Sequence, residues 1–332
     1  MTRFLIVRLG ALGDVIHGIP AAAALRAQFP AAQIDWVTDP RYVELLGLVR
    51  GLDRRVPIDT RRLAEAVSTI RELRGARYDA AIDLQGLIKS AAIARGAGAD
   101  RTIGFPGAHL REPAARFFYS ETPSPGDAAH VIFKNMALLA PLGVREARVA
   151  FPLDVPETPA AGEVRGRAGR SGYALLNPGA AWPNKRWPPD RFGALAALIR
   201  ERLGLRSFVL WGPGEDALAA AVTAASGGAA EMAPATTTVD LFALARSARL
   251  MVSGDTGPLH IAAAMGTPIV SLFGPTRAER NGPWAAADVA ISRTATCVCH
   301  YERRCRRGRP CIDEIGVDEV MTGVERRVAA HG

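Results

Sequence analysis

The stretch LMVSGDTGPLHIAAAMGTPIVSLFGPT, from Leu250 to Thr276, reads as strand, tight turn, short helix and strand. Residues 250–253 are a compact apolar run of strand length. Gly254, Asp255, Thr256 and Gly257 turn the chain, with Asp255 or Thr256 placed to cap the helix beyond. Pro258 suits the first turn of a helix, where its missing N–H costs nothing. An apolar helix over 259–265 stops at Gly266, and Pro268 opens the next buried strand. Such a turn leaves backbone N–H groups and the positive end of a helix dipole facing outward, a ready site for a diphosphate. His260, two residues into the helix, adds a donor beside the same spot. An ordinary βαβ unit whose Gly and Pro only turn the chain would look the same locally.

The surrounding chain has 332 residues, 48% hydrophobic and 22% charged, which describes two folded domains of ordinary size and excludes a disordered chain. No apolar run reaches the length of a membrane span. The opening MTRFLIVRLG carries too short an apolar run for a signal peptide and reads as a first strand. The expectation is a cytoplasmic protein whose four cysteines stay mostly reduced. Net charge is +8, yet residues 1–155 hold 20 Lys and Arg against 16 Asp and Glu, so neither half is a dedicated basic domain. The balance favours anionic partners such as phosphorylated substrates or an acidic membrane surface. Nucleic acid is not expected, because no aromatic-rich or recognition-helix pattern accompanies the charge.

Residues 3–30, RFLIVRLGALGDVIHGIPAAAALRAQFP, again give strand, glycine-rich turn and helix. Gly10 and Gly13 let the backbone turn sharply and a ligand approach closely. The pattern is not GxGxxG, so the dinucleotide fingerprint is not met. Asp14 falls at or just before the helix start, at the carboxyl end of the first strand, where open α/β sheets bind ligands. A helix N-cap is the plainer reading of the same residue. Alternation continues with a strand over 34–38, helices over 43–48 and about 60–73, and a further strand, turn and helix over 79–98. Gln85 and Gly86 lie in that turn, and Lys89 comes a turn later. A short strand over 101–105 precedes REPAARFFY, residues 111–119, and residues 130–142 read as helix. Arg61, Arg62, Lys89, Arg111 and Arg116 all fall near loops or helix starts. Singly each would be a solvated surface charge; converging on one cleft they would form an anion site.

A Pro-, Gly- and charge-rich boundary covers residues 154–172. Beyond it, a strand leads into NPGAAWPNKRWPP, a loop too rich in Pro and Gly to be regular. Lys185 sits there between two tryptophans, one of only three lysines in the chain. A strand over 207–211 is followed by GPGED and a helix through 225. The fold class is α/β, with domains at 1–155 and 156–332 facing across a cleft suited to two substrates. The final helix, over 317–328, is free to pack back on the first domain. Before it, Cys297, Cys299, Cys305 and Cys311 have a CxC-x5-C-x5-C spacing among Arg303, Arg304, Arg306, Arg307 and Arg309. Four thiolates suffice for a tetrahedral structural metal, though the two-residue gap of a zinc knuckle is missing. The other reading is free loop thiols under a basic patch that rests on an acidic membrane face.

Together RLGALGDVIHGIP, DLQGLIKSA, GFPGAHLREPAARFFY, NPGAAWPNKRWP, WGPGED and SGDTGPLHIAAAMGTP resemble the ADP-heptose:lipopolysaccharide heptosyltransferases. The pieces span most of the chain in the family's order, and DLQGLIKSA and REPAARFFY look most like heptosyltransferase I. The resemblance implies the GT-B architecture of two Rossmann-like domains. It also implies inverting transfer of heptose from ADP-heptose to a Kdo residue of the lipid A inner core. Asp14 matches the family's proposed general base, and a carboxylate suits that task because it stays ionised near neutral pH. Lys185 matches the family's diphosphate-contacting lysine, with the amides around Thr256 and Gly257 stabilising the leaving group. Asp255 would repel phosphate and is placed on donor-sugar hydroxyls, His260 near the diphosphate and Glu215 on the ribose. Arg61, Arg62, Gln85, Lys89, Arg111 and Arg116 are the acceptor-binding candidates.

No cofactor is required for this chemistry, and the lipid-anchored acceptor places the enzyme at the inner face of the cytoplasmic membrane. Two departures stand out. Ala180 and Ala181 occupy positions where relatives carry hydroxyl residues, and the cysteine cluster is not part of the core motif. The rivals are a heptosyltransferase II-like or other GT-B transferase, a sugar-nucleotide epimerase that needs no acceptor, and a non-catalytic saccharide or nucleotide binder. A binder has no use for a base.

Overall fold

The computed structural model describes residues 2–127, 129–145 and 148–330. They form two compact units, the first ending at Asp154 and the second beginning at Val155. In the first, β1 (Arg3–Val7), β2 (Gln33–Thr38), β3 (Arg54–Pro57), β4 (Ala80–Asp83) and β5 (Arg101–Ile103) make one sheet. Its order is β3-β2-β1-β4-β5, and every pair is parallel. Parallel strands covered on both faces read as continuous apolar runs. Phe4 to Val7 is such a run, entirely buried. Leu5, Val7, Val37, Tyr78, Ala81 and Ile93 build the core on one side. On the other, the helix Leu12–Gln28 buries ten residues from Val15 to Leu25. Each fully buried Leu or Ile contributes about 1.5–3 kcal/mol, so these two faces carry most of the unit's stability.

Local chemistry moved several boundaries. The helix expected over 60–73 is Leu63–Gly75, because Asp59 accepts from the Arg61 amide at 3.0 Å and holds residues 60–62 as a turn. The segment 130–142 is broken into a helix at Val131–Ala137 and a separate 3-10 turn at Ala140–Leu142. Pro141 has no N–H to continue the helical ladder. REPAARFFY contains a 3-10 helix, Pro113–Phe118.

The second unit has six parallel strands: β6 (Tyr173–Asn177), β7 (Arg206–Val209), β8 (Ala230–Met232), β9 (Leu250–Gly254), β10 (Ile269–Phe273) and β11 (Val289–Ser292). Their order is β11-β10-β9-β6-β7-β8. The deciding stretch supplies β9 and β10, buried at every position, and between them the helix Gly257–Ala264. Its own core includes Leu176, Trp187, Phe192, Val252, Leu272 and Val324. The final helix, Val317–Ala329, packs on the helix Pro189–Leu203 and on β10 and β11. Arg327 pins it through an ion pair of 2.6 Å to Asp288, with both side chains almost fully buried.

In each sheet the strand order reverses beside the first strand made. These switch points lie between β1 and β4 and between β6 and β9, and in open α/β sheets ligands bind outside the carboxyl ends at such places.

Candidate functional site

At the first switch point the turn after β1 meets the turn after β4. Leu9 N–H donates to Gln85 Oε1 at 2.7 Å. Arg8 reaches from the end of β1 in two directions, one arm to the Leu84 carbonyl and Nη2 to Asp14 Oδ1 at 2.7 Å. Asp14 is the third residue of its helix, and its Oδ2 accepts from the Ala11 amide at 3.2 Å. It therefore ties down the helix start from inside and is not an N-cap. About a third of its side chain is open to solvent. Gly10 is required here, because a Cβ at that position would meet the Tyr42 ring at 2.7 Å.

The floor of this turn is Asp83, fully buried. Its carboxylate accepts from Tyr119 Oη at 2.7 Å, Ser90 Oγ at 2.9 Å, and the amides of Gln85 and Gly86 at 2.8 and 3.2 Å. Burial raises its pKa above the ordinary value, and these four donors pull the other way.

At the second switch point the loop after β6 meets the turn after β9. Asn177 Nδ2 donates to Ser253 Oγ at 3.0 Å and Thr256 Oγ1 at 2.9 Å, fixing the turn that opens the helix. Lys185 Nζ lies 2.6 Å from Asp255 Oδ2 and 4.5 Å from the centre of the Trp182 ring. Thr276 Oγ1 donates to the same Oδ2 at 2.8 Å, and His260 Nε2 stands 3.5 Å from Oδ1. Burial works to raise the Asp255 pKa, but the His260 hydrogen bond and the Lys185 charge hold it well below the usual carboxylate range. The sequence argument weighed the charge of Asp255 alone and did not foresee this partner. That carboxylate is 5% exposed and turned inward onto Lys185, so its charge is matched. Glu215 Oε2 accepts from the Gly212 amide at 3.1 Å. Gly179 lies so close that a Cβ there would stand 2.2 Å from the same oxygen. Thr256, at the N-cap position, and Gly257, the first helical residue, remain partly exposed.

The acceptor candidates divide. Gln85 turns its carbonyl oxygen onto Leu9 N–H and so braces the Asp14 loop. Arg61 is paired with Asp59 at 2.8 Å, and Arg62 with Glu65 at 2.9 Å. Lys89, Arg111 and Arg116 are exposed, on connections leaving the carboxyl ends of β4 and β5. Sequence reasoning missed Arg8, Asn177, Trp182 and Thr276. Arg8 had a readable signal, a cation directly at a strand end before a glycine-rich turn. Thr276 closes the deciding stretch, in a segment with no mark beyond that of a loop.

The four cysteines do gather, Cys297, Cys299 and Cys311 buried and Cys305 half-buried, all as free thiols. Cys299 Sγ lies 3.6 Å from Cys305 Sγ. The Arg306 amide, 2.9 Å from Cys299 Sγ, lowers that thiol's pKa, while burial pushes Cys311 up to about 12. Among the described residues no group of three or more His, Cys, Asp or Glu is arranged to hold a metal ion. The basic patch is also smaller than its arginine count, because Arg306, Arg307 and Arg309 lie within reach of Glu302, Glu314 and Asp313.

The chain as a whole is similar to several known proteins. Over 322 residues the chain is 29% identical to lipopolysaccharide heptosyltransferase 1 of Pseudomonas aeruginosa, covering 91% of this chain and 87% of that protein. It is 25% identical to lipopolysaccharide heptosyltransferase 3 of Escherichia coli K12, over 82% of each. In fold it is similar to the E. coli heptosyltransferase WaaC solved with ADP-2-deoxy-2-fluoro heptose. That likeness has a TM-score of 0.76 at 24% identity and covers 98% of this chain and 99% of that one. Residues 66–309 match glycosyltransferase family 9 (heptosyltransferase), and with its two parallel-sheet domains in the GT-B manner the chain belongs to that family of transferases.

Proposed function

We propose that this enzyme transfers heptose from ADP-heptose to a Kdo residue of the lipid A inner core, with inversion at the anomeric carbon. The observation that carries the reading is the content of the two switch points. One presents an ionisable carboxylate open to solvent, and the other a lysine beside a helix N-terminus. Asp14 takes the proton from the acceptor hydroxyl as its oxygen attacks the anomeric carbon. The bond from that carbon to ADP breaks, and its electron pair stays on the diphosphate. Lys185 and the amides around Thr256 and Gly257 meet the charge that grows there. Asp255, holding Lys185, serves the same end and stays within reach of the donor sugar; Glu215 takes the ribose. The chemistry requires no metal. The lipid-anchored acceptor brings the enzyme to the inner face of the cytoplasmic membrane.

The likeness to a heptosyltransferase 3 supports one alternative, the same donor with a different core acceptor. The test is purified enzyme with ADP-heptose, with UDP- and GDP-sugars, and with Kdo-terminated lipid A or a heptosylated core. ADP release that requires both ADP-heptose and the Kdo acceptor is expected. Release only with the heptosylated core would move the acceptor, and release without any acceptor would overturn transfer.

A further inference from the structure

Arg8 is 6% exposed and takes no part in the proposed reaction. Its guanidinium nevertheless touches the proposed base directly. The two oxygens of Asp14 are held by different partners, Oδ1 by Arg8 at 2.7 Å and Oδ2 by the Ala11 amide at 3.2 Å. Two bonds on one carboxylate stop it from turning about its last bond. The other arm of Arg8 is bound to the Leu84 carbonyl. Leu84 comes directly after Asp83, which is fixed by four donors, and precedes Gln85, which is bonded to Leu9. The guanidinium thus bridges a rigid turn to the reactive group across the β1–β4 switch point. Arg8 Nε is buried and, among the described residues, has no hydrogen-bond partner. A buried cation with an unmet N–H is costly, so simple filling of this space would be served better by an apolar side chain.

We infer that Arg8 is a positioning residue for Asp14, fixing the carboxylate so that its remaining lone pairs face the acceptor hydroxyl. This rests on the reading of Asp14 as the base. Lysine at this place would offer a point charge and no fork to span Leu84 and Asp14.

The test uses Arg8→Gln, Arg8→Lys, Asp14→Asn and the double variant Arg8→Gln/Asp14→Asn, each checked by circular dichroism. Arg8→Gln is expected to lower kcat by about 10- to 100-fold, the cost of a slightly misplaced catalytic group. The KM for donor and acceptor should stay within about three-fold, because no binding contact is lost. Arg8→Lys should recover only part of the loss. In the Asp14→Asn background, Arg8→Gln should cost no more than about two-fold, since nothing is left to position. A full additional loss there, or a raised KM at unchanged kcat, overturns the inference. If Arg8→Gln does not fold, Arg8→Lys alone and combined with Asp14→Asn carries the same comparison. Near-parental turnover by Asp14→Asn would instead sink the base reading itself. An inactive Asp14→Asn beside a fully active Arg8→Gln would sink only this inference.

Discussion

Asp14→Ala removes a carboxylate at the first switch point that reaches solvent, and kcat should fall about 10²- to 10⁴-fold. ADP affinity, measured by calorimetry, should stay the same, because the nucleotide is assigned to the other unit. Lys185→Ala should do two things at once. It should weaken ADP binding and slow turnover, and it should leave the nearly buried Asp255 carboxylate short of its cation. Breaking such a pair from one side costs about 3 kcal/mol, read as a lower midpoint in urea; an unchanged midpoint would mean the pair is not a structural one. The sign with pH comes from the depressed pKa of Asp255. Its contribution to stability is fully present above the ordinary value of 3.8 and is lost as the pH falls through the lowered one. Asp255→Asn should therefore flatten the acid limb of the stability curve. The partners of Asp255 were hidden from sequence reading for a plain reason. Lys185 stands 70 positions before it and Thr276 21 after it, and only the packing of loops on strand ends joins them.

At the scale of elements, the periodic and apolar segments were legible and the short irregular ones were not. The strand expected over 250–253 and the helix expected over 259–265 appeared with ends shifted by one or two residues, as Leu250–Gly254 and Gly257–Ala264, because buried strands and a Gly-Pro helix start leave strong marks. The Pro113–Phe118 turn left none, since its fold depends on Ala115 packing against Ala91 and on Tyr119 reaching Asp83. Tyr119→Phe should cost about 1–3 kcal/mol by leaving the buried Asp83 one donor short, measured as a thermal shift. Gly179→Ala is a test of the loop after β6. Its methyl group would force the Glu215 carboxylate aside, so ADP binding should weaken if Glu215 holds the ribose and stay unchanged if it does not. In the cysteine loop, elemental analysis of untagged protein is expected to give well under one metal per chain; a stoichiometric metal would establish the tetrahedral reading instead.

For the molecule as a whole, each unit has a core of its own, and that makes the donor assignment measurable without any turnover. Calorimetric unfolding should show two transitions. ADP at about 100 times its Kd should stabilise the second unit's transition by about 2.7 kcal/mol and leave the first in place. The order of strands in each sheet has a consequence for how the chain is made. A central strand that is synthesised first, β1 or β6, leaves the ribosome with both edges bare. It stays so until later strands come to lie on either side, β2 and then β4 for one, β7 and then β9 for the other. The first sheet has all five of its strands by Ile103, well before Tyr173 begins the second. Every strand of the first sheet therefore exists before any strand of the second, so N-terminal-first folding can pair the central strands of one sheet before those of the other are made, which limits mispairing between the two.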